Sequence, residues 1–208
     1  MSDRYLSEMR VERAVGAHAE VINELFERTD CPCHCQYFGF SGDHRQWQMR
    51  CANDRATNRL GLAADLQEEK LTALVALNGD QAVGWMRIDQ PHHLSKTYEG
   101  RLYRGLPCFS GDRDGVWSIA CFLIDKKFRR RGIAAAMLGA AVEVARSLGA
   151  TALEGLPRGA HDVSDEEQWT GPQTLYERAG FAVVSHFAPY PVYRLALATA
   201  APETLPKE

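Results

Sequence analysis

The chain has 208 residues, 45% of them hydrophobic and 25% charged, with 24 Lys+Arg against 27 Asp+Glu for a formal net charge of −3. That length suits one domain with a sizeable core, and the balance is that of an ordinary soluble globular protein. A slightly acidic chain has no global attraction to nucleic acid or an anionic membrane, and no run reaches the roughly 18 apolar residues of a membrane span. The polar start MSDRYLSEMR lacks a secretory apolar core, so a cytoplasmic protein is expected, with no membrane or nucleic-acid partner.

In chain order, a short strand is predicted over residues 11–15. A helix follows over 17–28, where Val21/Leu25 and Ile22/Phe26 stand four apart as on a buried face. Residues 31–42 read as a loop broken by Pro32, Gly39 and Gly42, with helices over 45–53 and 62–69 after it. The period then changes. Residues 71–77 and 81–88 are β-rich runs joined by Asn78-Gly79-Asp80, a hairpin signal. Residues 89–114 are long, mixed and rich in Gly and Pro, the signature of a functional loop or of structure the pattern does not reveal. Residues 116–124 are apolar nearly throughout, as in a central strand covered on both faces. Ile133, Met137, Ala141, Val144 and Leu148 then mark a helix that stops at Gly149. A strand over 151–156, a short helix over 172–179 and strands over 182–187 and 192–198 complete the order. Residues 199–208, small, polar and Pro-containing, read as a frayed tail.

The strand-to-helix passage Ile124-Asp125-Lys126-Lys127-Phe128-Arg129-Arg130-Arg131-Gly132-Ile133-Ala134 carries the chemistry. A helix start presents unpaired N–H groups and a positive dipole end, Gly132 allows close backbone approach, and five cations surround it. The combination suits a polyanion, yet the passage has neither a P-loop nor a dinucleotide-binding glycine pattern. A solvated basic helix start is the plain alternative.

The run Arg129-x-x-Gly132-x-Ala134 resembles the acetyl-CoA signature of the GNAT acyltransferase superfamily. Leu175-Tyr176-Glu177-Arg178-Ala179-Gly180-Phe181 is similar to that family's L-Y-x-x-x-G-F segment, and about 40 residues of chain separate the two. The resemblance runs from about residue 71 to 198. It implies a single α/β (α+β) domain over 1–198. Its central sheet is mixed, mostly antiparallel and flanked by helices, with a V-shaped splay between the fourth and fifth strands. Residues 1–70 would form the acceptor side and 71–198 the cofactor-binding core. It also implies transfer of an acetyl group from acetyl-CoA, as co-substrate, to an amine of a small acceptor. Backbone groups over Arg129, Arg130, Arg131, Gly132, Ile133 and Ala134 would cradle the pyrophosphate, and Phe122, Leu123 and Ile124 would pair with the pantetheine arm. The same donors would polarise the thioester carbonyl. Tyr176 would be the general acid for the departing thiolate.

Two positions depart from the family pattern. Many relatives carry a glutamate base eleven residues before the first signature residue; here that position holds Ser118. The base is then sought at Glu154 on the next strand, or at Asp112, Asp114 or His161 on flanking loops. Seven residues before Tyr176, where many relatives have a cofactor-contacting Asn, stands Trp169, with Thr170 and Gly171 as substitutes that would cap the helix beside the pantetheine.

Six cysteines stand at 31, 33, 35, 51, 108 and 121, and they read as thiols, since partners two apart such as Cys31 and Cys33 are poorly placed to bridge. The CPCHC run with His34 and His44 invites a zinc reading, but lacks two separated C-x₂₋₄-C pairs and alternates sides if extended, so no metal is expected. These cysteines are expected to pack against Tyr37, Phe38 and Phe40 on the acceptor side, with Trp47, Trp85, Trp117 and Trp169 as further aromatics. An aromatic acceptor pocket favours a small molecule. The alternative to an enzyme is an acyl-CoA-binding sensor or interaction domain without turnover, which Ser118 favours. A homodimer is consistent with the resemblance, and no sequence feature fixes it.

Overall fold

A computed structural model describes residues 9–159 and 169–197. It contains β1 (Met9–Arg13), α1 (Ala19–Arg28), α2 (His44–Asn53), α3 (Arg55–Gln67), β2 (Thr72–Asn78), β3 (Gln81–Asp89) and α4 (Ser95–Tyr98). β4 (Val116–Ile124), α5 (Ile133–Ser147), β5 (Ala152–Gly155), α6 (Gln173–Arg178), β6 (Ala182–Ser185) and β7 (Val192–Ala196) follow. The strands form one sheet in the order β1-β2-β3-β4-β5-β7-β6, antiparallel throughout except where β4 meets β5.

Helices cover both faces of the sheet, which is why β2 and β3 are apolar on both sides. Ile22, Leu25 and Phe26 of α1 and Leu62 and Leu66 of α3 pack on Ala73, Val75, Leu77 and Trp85. On the other face, Ile133, Met137, Leu138, Ala141 and Ala145 of α5 pack on Leu74, Val83, Met86, Ile88 and Ile119.

Two helices begin where aspartates cap them. Asp43 Oδ1 accepts from the Gln46 N–H (2.8 Å) while Gln46 Oε1 accepts from the Asp43 N–H (2.9 Å), closing a capping box at α2. Asp54 caps α3 through the Thr57 N–H (3.2 Å), so this helix starts at Arg55, not near 62. Its first turn is polar, which hid it from a reading based on apolar spacing.

The stretch 89–114 holds α4 and single 3₁₀ turns at Pro91–Leu94 and Pro107–Phe109. Its Tyr98, Tyr103, Leu106 and Phe109 pack with Leu156, Tyr190 and Val192 as a small separate core. No helix among the described residues is long and apolar enough to cross a membrane. The tail 199–208 and His161 lie outside the described residues.

Candidate active site

β4 and β5 pair in parallel over three positions only: Val116 with Ala152, Trp117 with Leu153 and Ser118 with Glu154. β5 ends at Gly155, whereas β4 runs on to Ile124, bonded to β3 alone. The two strands therefore splay after Ser118. The opening is a cavity of about 1480 Å³. Ala120, Cys121, Phe122, Leu123 and Ile124 form one wall, and Gly171, Pro172, Thr174 and Leu175 at the start of α6 form the facing one.

One end of the cavity is the N-terminus of α5. Arg130 (φ 62°) and Gly132 (φ 80°) both take left-handed backbone to turn the chain into the helix, and no side chain caps it at Gly132. A Cβ built at Gly132 meets no protein atom within 4 Å; the space in front of it is open. Arg129, Arg130, Gly132, Ile133 and Ala134 line the cavity here, as does Lys126. Arg131 does not: its guanidinium lies over the Phe128 ring, 5.4 Å from the centroid. The first-turn N–H groups of a helix have no partner within it, so an uncapped start opening on basic side chains suits a phosphate group.

Tyr176 is buried at 1% exposure and does not line the cavity. Its hydroxyl donates to the Thr170 carbonyl, and its ring packs over Gly155, where any Cβ would collide with it. Burial pushes its phenol well above the usual tyrosine range, so it stays protonated and a donor. Thr170 does not cap α6: its Oγ1 donates to the Leu156 carbonyl at 2.8 Å. The cap position belongs to Pro172. Trp169, half-exposed, lines the cavity beside Gly171.

Glu154 is not placed to act as a base. It is fully buried, and both carboxylate oxygens are engaged: Arg113 donates to them at 3.0 and 2.7 Å, Arg194 Nε donates at 2.9 Å and Tyr98 Oη at 2.7 Å. Both oxygens are thus committed to charge-assisted hydrogen bonds with two guanidiniums. The cluster ties β5 to β7 and to the 89–114 stretch just where the splay begins. Ser118, its partner across the β4–β5 pair, is also fully buried. Asp112 lies in an exposed turn, accepting from the Asp114 N–H, and neither lines the cavity.

The far end of the cavity is lined by Cys31, Cys33, Cys35, Tyr37, Phe38 and Trp47, with Cys121 on β4. Tyr37 and Phe40 pack on Trp47, and Lys96 of α4 stands 4.6 Å over the Tyr37 ring, so the α1–α2 loop and the 89–114 stretch meet there. The cysteines themselves pack with the α1–α3 core and Trp85, a cluster that holds none of the expected Tyr37, Phe38 and Phe40. Trp85 is wholly buried. Left-handed His34 (φ 40°) and Cys35 (φ 56°) turn the run, so Cys31, Cys33 and Cys35 all reach the cavity where an extended chain would alternate them. The Cys121 hydrogen bond, with the Arg87 guanidinium behind it, outweighs burial and brings the Cys35 thiol down to about 7. Sequence spacing gave no sign of this, because Cys35 and Cys121 meet only through the fold. No group of three or more His, Cys, Asp or Glu among the described residues could hold a metal ion.

The profile described as "Acetyltransferase (GNAT) family" matches residues 37–181. No curated protein matches the chain. Solved structures of similar fold include PaiA N-acetyltransferase from Thermoplasma acidophilum in complex with coenzyme A (TM-score 0.54, 9% identity, covering 91% of this chain and 99% of that one). YhbS from Escherichia coli in complex with CoA is another (TM-score 0.50, 18% identity, 91% and 82%). A third is an N-acetyltransferase from Staphylococcus aureus Mu50 (TM-score 0.52, 12% identity, 90% and 98%). Both signature segments fall within the matched span and contribute residues to the cavity lining, and on that match the chain belongs to the GNAT acetyltransferase family.

Proposed function

We propose that the protein transfers the acetyl group of acetyl-CoA to an amine of a small-molecule acceptor. The observation that carries this reading is the opening of one cavity onto both the uncapped α5 start at Gly132 and the β4 edge that β5 leaves unpaired. The residues present fit the coenzyme. The first-turn N–H groups from Gly132 on, with Arg129 and Arg130, would hold the pyrophosphate. Main-chain groups of Phe122, Leu123 and Ile124 would take the pantetheine arm as an added strand. Bound there, acetyl-CoA supplies a thioester whose carbonyl carbon the amine attacks, the C–N bond forming as C–S breaks.

Two residues of the chain would handle protons. Cys35 lines the acceptor end with a thiol near neutrality, suited to accept the proton of an incoming ammonium. Tyr176, kept protonated by burial, would give a proton to the departing thiolate once its hydroxyl leaves the Thr170 carbonyl. The aromatic lining from Tyr37, Phe38 and Trp47 suits a compact acceptor with apolar surface. Following free thiol over a panel of primary amines tests the reading: acetyl-CoA-dependent thiol release with at least one small amine is the expected result.

One observation favours a second reading, a domain that binds acyl-CoA without turnover. Ser118 is sealed and Glu154 is committed to Arg113 and Arg194, so neither strand offers a carboxylate base at the splay. Tight acetyl-CoA binding with no thiol release from any amine would support it.

A further inference from the structure

The thiols of Cys31 and Cys33 are in contact. Their sulfurs stand 3.4 Å apart, although spacing alone made them poor partners. Pro32 between them is fixed by Asn58, whose buried amide donates to the Pro32 carbonyl at 2.9 Å. The chain beyond is anchored as well. His34 is buried, hydrogen-bonded to Asn23 at 2.7 Å and stacked on Phe26, and the Cys35 N–H donates to Cys33 Sγ at 3.4 Å. The strained left-handed turn at His34 and Cys35 is held from the core side, and it presents both sulfurs at the cavity wall. All six cysteines are free thiols.

We propose that Cys31 and Cys33 form a reversible oxidation site, in which a hydroperoxide closes the two thiols into a disulfide at the acceptor end of the cavity. The Cys31 thiolate attacks the O–O bond, giving a sulfenic acid and hydroxide. The Cys33 thiol then attacks that sulfur, the S–S bond forms, and the departing oxygen leaves as water. In sum, two thiols and one hydrogen peroxide give one disulfide and two waters, with two electrons passing from the sulfurs to the peroxide. The hydrogen bond between the pair favours this division of roles, since it lowers the Cys31 thiol and raises that of Cys33. The sulfurs need to close only from 3.4 Å to a bond of about 2.05 Å. Exposed to the cavity and closing a small ring, the disulfide belongs to the labile kind that a dithiol reductant reverses. The change lies on the acceptor wall and leaves the α5 start untouched.

Peptide mapping of the whole protein tests this without any activity assay. The protein is treated with hydrogen peroxide, its remaining thiols are alkylated, and the peptide holding residues 31–33 is weighed before and after dithiothreitol. The expected product lacks two hydrogens, resists alkylation at both cysteines and is restored by the reductant. Cys33→Ser should leave Cys31 as a sulfenic acid that dimedone traps, whereas Cys51→Ser should behave as the parent. Continued alkylation of both thiols after excess peroxide would overturn the proposal, as would a disulfide joining Cys35 to Cys121 instead. Because the readout is a mass, it stands or falls apart from the acetyl-transfer reading.

Discussion

On the proposed function Tyr176 and Cys35 would carry the two proton transfers, and each makes a separable prediction. Removing the phenol oxygen in Tyr176→Phe should lower kcat by about 10²-fold or more, the usual contribution of a positioned acid, while acetyl-CoA affinity stays unchanged. If the hydroxyl only holds the Thr170 carbonyl, the loss will appear in acetyl-CoA affinity and stability, and kcat will hold; steady-state kinetics with binding measurements separate the two. Cys35 acts as a base only when deprotonated. With its thiol near pH 7, kcat/KM should climb with pH through about 7 and then level off. Cys35→Ser should abolish that limb, and an identical profile in parent and variant would remove Cys35 from the proton path.

At the level of elements, the splay depends on how β5 is held. Glu154→Gln would leave Arg113 and Arg194, both mostly buried, without their anion. Breaking such a buried pair costs about 3–5 kcal/mol, so the urea midpoint should fall sharply at constant m value. A variant as stable as the parent would show that the cluster does not brace the sheet. The sequence carried most of these elements because their signals are local. The apolar run of β4 and the 4-4-3-4 spacing along α5 match the observed elements closely. α3 was cut short because its first turn is polar and only Asp54 announces it. Glu154 read as a candidate base because its arginines lie 41 and 40 residues away in the chain, and no spacing rule pairs them. The turn that gathers Cys31, Cys33 and Cys35 was hidden for a similar reason. It depends on two non-glycine residues in left-handed backbone, held by Asn23 and Asn58 from other elements.

For the whole molecule, the central claim is that the splayed strands and the α5 start form one acetyl-CoA site. The most direct test is a thermal melt with and without acetyl-CoA, run on the parent and on Gly132→Asp. Ligand at 100 times its Kd adds about 2.7 kcal/mol to the folded state. At roughly 2–4 °C per kcal/mol for a domain of this size, the parent should melt about 5–10 °C higher. Gly132→Asp sets a side chain and a negative charge in the open space where the pyrophosphate would sit, and strains a left-handed position, so its ligand-induced rise should vanish. A parent that does not respond to acetyl-CoA, or a variant that responds as fully as the parent, would contradict the assignment of the site.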